Sequence, residues 1–205
     1  MPHADASLVP PSIQSKPEFW QHVYSQLEPL LVDQRCWVSN LSNASSLIYN
    51  SLLAFPAYFG DDRSKAVNWS GFYIHSRYFP VPRLTIDTND KAESVQDVLL
   101  LGPFCGKPAC QFINVENGKA RGVCADAYLQ LQTVVAPNID VYPGHIACDG
   151  DTKSEIVCPL LLEQDGMVHV LGVLDLDCLS VNGFGDDDKA GLEGITSLIV
   201  KSCDW

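Results

Sequence analysis

A chain of 205 residues with 46% apolar and 19% charged side chains is long enough to bury one core of ordinary size and has the composition of a globular protein. Its formal net charge of −12, from 25 acidic against 13 basic residues, repels polyphosphates and argues against nucleic acid as a partner. No apolar run approaches the roughly 20 residues of a membrane helix. Met1-Pro-His-Ala-Asp-Ala-Ser lacks the basic and apolar regions of a secretory signal, so a cytoplasmic protein without membrane contact is expected.

Residues 1–16 contain Pro2, Pro10 and Pro11 and no apolar period, and read as a flexible arm before a single domain over 17–205. From Pro17 onward Phe19, Trp20, Val23, Tyr24, Leu27, Leu30 and Leu31 recur at helical spacing. A second helix is expected from about Asn40, with Leu41, Leu47, Ile48, Leu52 and Leu53 on one side, ending before Pro56. Residues 67–74 are aromatic and branched and predict the first central strand, with Trp69, Gly71 and Tyr73 on one face and Ser70, Phe72 and Ile74 on the other. An irregular excursion follows over 75–94, then a strand at 98–101.

Residues 122–132 suit a short helix carrying Cys124 near its start, and 133–136 a short strand. A loop through Pro137, Pro143 and Gly144 presents His145 to Asp149. Two apolar strands, 155–163 and 167–177, flank Gln164-Asp165-Gly166, a strong hairpin signal. Simple alternation puts Met167, His169, Leu171, Val173, Asp175 and Asp177 on one face. After the acidic run Gly185-Asp-Asp-Asp188 a closing helix buries Leu192, Ile195, Leu198 and Ile199. The pattern is α+β: a central antiparallel sheet with helices mainly on one face, leaving the other for a small-molecule pocket.

Six of the eight cysteines fall between residues 104 and 178: Cys105, Cys110, Cys124, Cys148, Cys158 and Cys178. In a reducing compartment they are core fillers, metal ligands or redox groups rather than structural disulfides. Cys110, Cys124 and Cys148 sit in Gly- or Pro-marked turns, where a thiol can attack an electrophile and be rescued by a second thiol. Cys158, inside an apolar strand, reads as core, and so do Cys36 and Cys203. Asp149, Glu155, Asp175 and Asp177 could bind an ammonium group or deliver a proton; Asp149 and Asp177 are equally placed as ordinary turn and strand-end acids. Asp149 next to Cys148 disfavours its thiolate. His145 with Cys105, Cys110 and Cys124 makes a zinc-like set, but the spacings match no zinc finger or ribbon, so no metal is expected. His145 reads instead as a residue that orients its loop. No phosphate loop, dinucleotide fingerprint or nucleophile elbow occurs.

These residues together resemble the free methionine-(R)-sulfoxide reductase family, built on the GAF domain, and its fungal members above all. The resemblance is carried by Asn68-Trp-Ser-Gly-Phe-Tyr73, Leu101-Gly-Pro-Phe104, Gly106-Lys-Pro-Ala-Cys110, Gly122-Val-Cys124, Pro143-Gly-His-Ile-Ala-Cys-Asp149, Ser154-Glu-Ile-Val157 and Gly172-Val-Leu-Asp-Leu-Asp177. It implies a GAF-like fold that reduces free L-methionine-(R)-S-oxide through a sulfenic acid and an intramolecular disulfide. Cys148 resembles the attacking thiol, Cys110 its main resolving partner and Cys124 a third active-site thiol. Trp69 and Tyr73 resemble the aromatic wall around the substrate; Glu155, Asp175 and Asp177 resemble the acids that hold its ammonium group and assist protonation. The resemblance further implies thioredoxin as electron donor, no bound cofactor, and a homodimer. Cys105 stands where the family commonly has Gln, an extra thiol that could divert the disulfide, and Ala125-Asp126 replaces the usual Gly-Thr. The alternative is a non-catalytic GAF module that senses or binds a small ligand.

Overall fold

The computed structural model describes residues 7–80, 97–145 and 149–205. Helix α1 (Lys16–Leu30) starts on a capping box: Ser15 precedes it, the Glu18 carboxylate accepts from the Ser15 amide at 3.1 Å, and Pro17 occupies the first turn. Phe19, Trp20, Val23 and Leu27 form its buried stripe. Of the expected arm before it, residues 1–6 lie outside the described residues, while Val9 and Ile13 pack against the core. Helix α2 (Trp37–Leu53) begins at Trp37 rather than Asn40, because Trp37 is buried against Phe79 and Trp205, partners that local periodicity does not reveal.

Strand β1 (Val67–His75) is followed by the turn Ser76–Tyr78; residues 81–96 of the expected excursion lie outside the described residues. Strand β2 (Val98–Gly106) runs beyond the expected 98–101 and passes through Pro103. A bulge makes this possible: Gly102 and Pro103 both fall opposite Phe72, between the Gly71↔Phe104 and Tyr73↔Leu101 pairs, where a missing N–H disrupts no regular ladder bond. Strand β3 (Phe112–Asn114) is too short to leave a pattern in the sequence and forms only by pairing with residues 98–100.

Helix α3 (Val123–Gln130) and strand β4 (Val134–Ala136) fall where expected, as do β5 (Ser154–Gln164), β6 (Met167–Cys178) and α4 (Asp186–Lys201). Asp165 and Gly166 close the β5–β6 hairpin with φ of 53° and 74°, the left-handed pair that a two-residue turn matched to strand twist requires. Among the described residues the sheet has six strands in the order β3-β2-β1-β6-β5-β4, every neighbouring pair antiparallel. Helices α1, α2 and α4 cover one face over Phe72, Ile74, Ile156, Leu174 and Leu176; α3 lies on the other over Leu99, Val157 and Val173. Alternation along β6 fails at one residue. Leu171 is extra between the pairs Leu160↔Gly172 and Leu161↔Val170, and this bulge turns it into the helix-side core while Val173 stays opposite.

One buried charge ties the helical layer together. Asp188, fully buried near the start of α4, accepts from Trp20 Nε1 at 2.9 Å and from the Gly185 amide at 2.9 Å, and is ion-paired with Lys16. Helices α1 and α4 are thereby fixed at one end. No helix among the described residues is long and apolar enough to cross a membrane. Asp188→Ala strands all three donors and is expected to cost about 3–5 kcal/mol, a fall in Tm on the order of 10 °C for a chain of this size. Asp188→Asn, which keeps an acceptor oxygen, is expected to lose less; thermal melts of both variants check the order.

Candidate active site

The sheet face left free by the three packed helices holds a cavity of about 190 Å³, below the roughly 300–1,000 Å³ of drug-sized sites and suited to a ligand of amino-acid size. Its wall is aromatic. Trp69 and Tyr73, four residues apart on β1, stack with ring centres 5.8 Å apart, and Phe104 of β2 also stacks with Trp69 at 5.5 Å. Gly71 permits this, since a Cβ there would stand 2.3 Å from the Phe104 Cβ and 2.5 Å from the Trp69 ring. The polar ends of the wall hold the loop above it: Trp69 Nε1 donates to the Lys107 carbonyl at 3.2 Å and the Tyr73 hydroxyl to the Cys110 carbonyl at 3.1 Å.

The floor is acidic. Strand register sets Asp177 between Trp69 and Glu155, and Asp175 between Gly71 and Val157. Cys124, near the N-terminus of α3, donates its thiol to Glu155 Oε1 at 3.7 Å. Cys124, Glu155 and Asp175 are each only 5–6% exposed. Burial and then the neighbouring charges of Glu155 and Asp177 push the Asp175 carboxyl well above the usual range; burial, Glu155 and Asp149 do the same to Asp177. Burial and the charges of Asp175 and Glu155 likewise raise the Cys124 thiol, so it stays protonated at neutral pH.

The rim joins the remaining groups. His145 Nε2 lies 3.3 Å from Glu155 Oε2. Asp149 accepts from Asn68 Nδ2 at 3.2 Å and pairs with Lys107 at 3.0 Å. Burial works against its charge, but hydrogen bonds from the Asp151 amide, Lys107 and Asn68 outweigh burial and hold its carboxyl below the usual range. The negative charge that the sequence sets beside Cys148 is therefore already countered by Lys107. Asp126, at the unusual Ala125-Asp126 pair, accepts from the Tyr142 hydroxyl at 2.6 Å and ties α3 to the loop carrying His145.

Trp69, Tyr73, Cys110, Cys124, Glu155, Asp175 and Asp177 thus line one cavity; Cys148 lies outside the described residues. Cys110 is in a disulfide, whereas Cys36, Cys105, Cys124, Cys158, Cys178 and Cys203 are free thiols. Cys105 pairs across the sheet with Ser70 and meets Ser45 of α2, so its side chain is on the helix-covered face, away from the cavity. It cannot divert a disulfide there without turning its strand over. Lys107 and Arg121, which also line the cavity, were not singled out from the sequence, because single cations in loops carry no periodic signal.

No family model matches the chain. It is 41% identical over 189 residues to the free methionine-R-sulfoxide reductase of Saccharomyces cerevisiae, covering 92% of this chain and 88% of that protein. The chain belongs to the free methionine-R-sulfoxide reductase family. Its fold is correspondingly that of a GAF domain: one solved GAF domain superposes with a TM-score of 0.78 at 38% identity, over 99% of this chain and 97% of that one. The free methionine-R-sulfoxide reductase of Neisseria meningitidis, solved in complex with its substrate, superposes with a TM-score of 0.69 at 31% identity, over 93% and 92% of the two chains.

A carboxyl raised by folding binds its proton more tightly in the folded than in the unfolded chain. Its stabilising contribution is present below the ordinary carboxylate range and is lost as pH rises through the raised value. Asp175→Asn removes that loss. The variant is expected to be more stable than the parent at pH 8, by on the order of 1 kcal/mol or 2–4 °C in Tm, with the gap narrowing toward pH 4. Melts across that range check it.

Proposed function

We propose that this protein reduces free L-methionine-(R)-sulfoxide to L-methionine. The observation that carries the reading is the hollow in which a buried thiol and three acids lie beneath an aromatic wall, in a chain of this family. An amino-acid sulfoxide presents a methyl group, a sulfoxide oxygen that must be protonated, an ammonium group and a carboxylate. Trp69 and Tyr73 offer the methyl group an apolar surface. Glu155, Asp175 and Asp177 offer acceptor oxygens to the ammonium group, and the raised carboxyls of Asp175 and Asp177 retain protons to donate to the sulfoxide oxygen. The N-terminus of α3 has no side-chain cap, and together with Arg121 it has the sign to meet the carboxylate.

In this proposal the Cys148 thiolate attacks the sulfoxide sulfur as its oxygen is protonated. The sulfoxide S–O bond breaks as a new S–O bond forms to the Cys148 sulfur, so that methionine leaves and Cys148 carries the oxygen as a sulfenic acid. The Cys110 thiol then attacks the Cys148 sulfur, water departs and a disulfide forms. A thioredoxin dithiol supplies two electrons and two protons to reopen it. The reading is supported by the disulfide-bonded state of Cys110 and by the Tyr73 hydroxyl that anchors its carbonyl. Cys124, buried and held protonated, is suited to a later exchange step rather than to the attack.

With thioredoxin, thioredoxin reductase and NADPH, the protein is expected to consume NADPH when given the R epimer of free methionine sulfoxide, and not with the S epimer. Cys148→Ser is expected to lower kcat by about 10³-fold or more. No turnover of the R epimer by the parent protein would end the reductase reading in favour of a binding module; undiminished turnover in Cys148→Ser would remove that residue from the mechanism.

A further inference from the structure

The cavity floor gathers more ligand atoms of negative character than the cations near it neutralise. The Cys124 Sγ, a Glu155 carboxylate oxygen and an Asp175 carboxylate oxygen lie within 4.8 Å of one another. Asp175 Oδ1 is buried and has no hydrogen-bond partner. Even on a carboxyl that keeps its proton, a buried oxygen without a partner costs on the order of 1–3 kcal/mol unless something meets it. His145 Nε2 adds an imidazole nitrogen 3.3 Å from Glu155 Oε2. The cations at the rim are turned to other partners: Lys107 to Asp149 and Asp151, Lys119 to Glu116, and Arg121 Nη1 to the Ala120 carbonyl.

A thiol and two carboxyls at this spacing, with an imidazole in contact with one of them, form a mixed donor set that suits a tetrahedral, thiophilic divalent ion better than Mg²⁺ or Ca²⁺, which require six or more oxygens. The sequence groups His145 with Cys105, Cys110 and Cys124, and the spacings of that set fit no zinc motif. The fold instead removes Cys105 to the other face and brings Glu155 and Asp175 to Cys124. We propose that the reduced protein binds Zn²⁺, or Cd²⁺ in its place, through Cys124, Glu155 and Asp175 with His145 as fourth ligand, and that the bound ion closes the cavity to substrate. Coordination requires the Cys124 thiol to surrender its proton, so ion uptake releases protons and strengthens as pH rises. The ion would stand where the substrate ammonium group is held. Inhibition therefore rests on the proposed function, whereas ion binding does not.

Cd²⁺ is the probe, because a Cd²⁺–thiolate bond adds ultraviolet charge-transfer absorption. Titrated into the reduced full-length protein, Cd²⁺ is expected to raise a saturable band that Zn²⁺ displaces. Cys124→Ser should abolish the band, and Asp175→Asn should keep it while weakening affinity at least about tenfold. Near-ultraviolet circular dichroism verifies that both variants are folded. A band of undiminished affinity in Cys124→Ser, or unchanged affinity in Asp175→Asn, would assign the ion to other thiols such as the exposed Cys36 and overturn the site. A chain that binds Cd²⁺ in the expected pattern yet reduces no sulfoxide would keep the metal site and lose the reductase. Turnover of sulfoxide without any saturable band would do the reverse.

Discussion

The antiparallel register of three central strands is the constraint on which the site depends. Strand β6 lies between β1 and β5, so Asp177 is flanked by Trp69 and Glu155, and Asp175 by Gly71 and Val157. Side chains on a strand alternate with a period of two, and a slip of one residue would move both acids into the helix-side core. Two local devices prevent that slip. The left-handed Asp165-Gly166 turn pairs Gln164 with Met167, and the bulge at Leu171 resets the count so that Val173, Asp175 and Asp177 share the sheet face that carries α3 and the cavity. The chemistry therefore depends on backbone hydrogen bonds far more than on any contact among the reactive groups themselves.

Those groups repel one another. Asp175, Asp177 and Cys124 share with Glu155 a hollow largely withdrawn from water, and the fold accommodates the first three by keeping protons on them rather than by supplying cations. Such an arrangement subtracts from stability and must be offset elsewhere. The offset lies on the other side of the sheet, where α1, α2 and α4 bury Phe19, Trp20, Leu41, Ile48, Phe72 and Leu192 in one apolar layer, with Asp188 satisfied by three donors. One face of the sheet supplies stability and the other carries electrostatic tension. The tension is useful, because acids that hold protons at neutral pH can both donate them and exchange them for a positively charged group.

The loops complete the division. Trp69 and Tyr73 are at once the apolar wall and, through their N–H and O–H groups, the anchors of the 107–110 turn. Asp126 and Tyr142 tie α3 to the loop that leads to His145, and Lys107 counters Asp149 at the rim. Each tether joins segments distant in sequence. The site accordingly has few freely moving parts among the described residues, and the ligand-sized space between them is set by side chains whose own polar ends are already engaged.

The chain order of helices and strands, the hairpin and its turn, and the two faces of β1 were legible from local pattern, since period, turn chemistry and capping act over a few residues. The turn-borne cysteines and the acids ending β6 were legible as a chemical inventory for the same reason, and the motifs around them carried the family. Other features came only with the tertiary structure. Pro103 sits inside a strand because Phe72 lies opposite a bulge, Leu171 changes face because β5 lacks its partner, and β3 exists because β2 offers it an edge. Cys105 sits on the helix-covered face of β2, whereas Cys110 in the loop after it and Cys124 on α3 reach the cavity, and Glu155 meets Cys124 and His145 only across the folded domain. Sequence by itself determined which elements form and which reactive groups are present; the pairing of distant strands decided which of those groups meet, because register and sheet face are properties of two strands together and belong to neither alone.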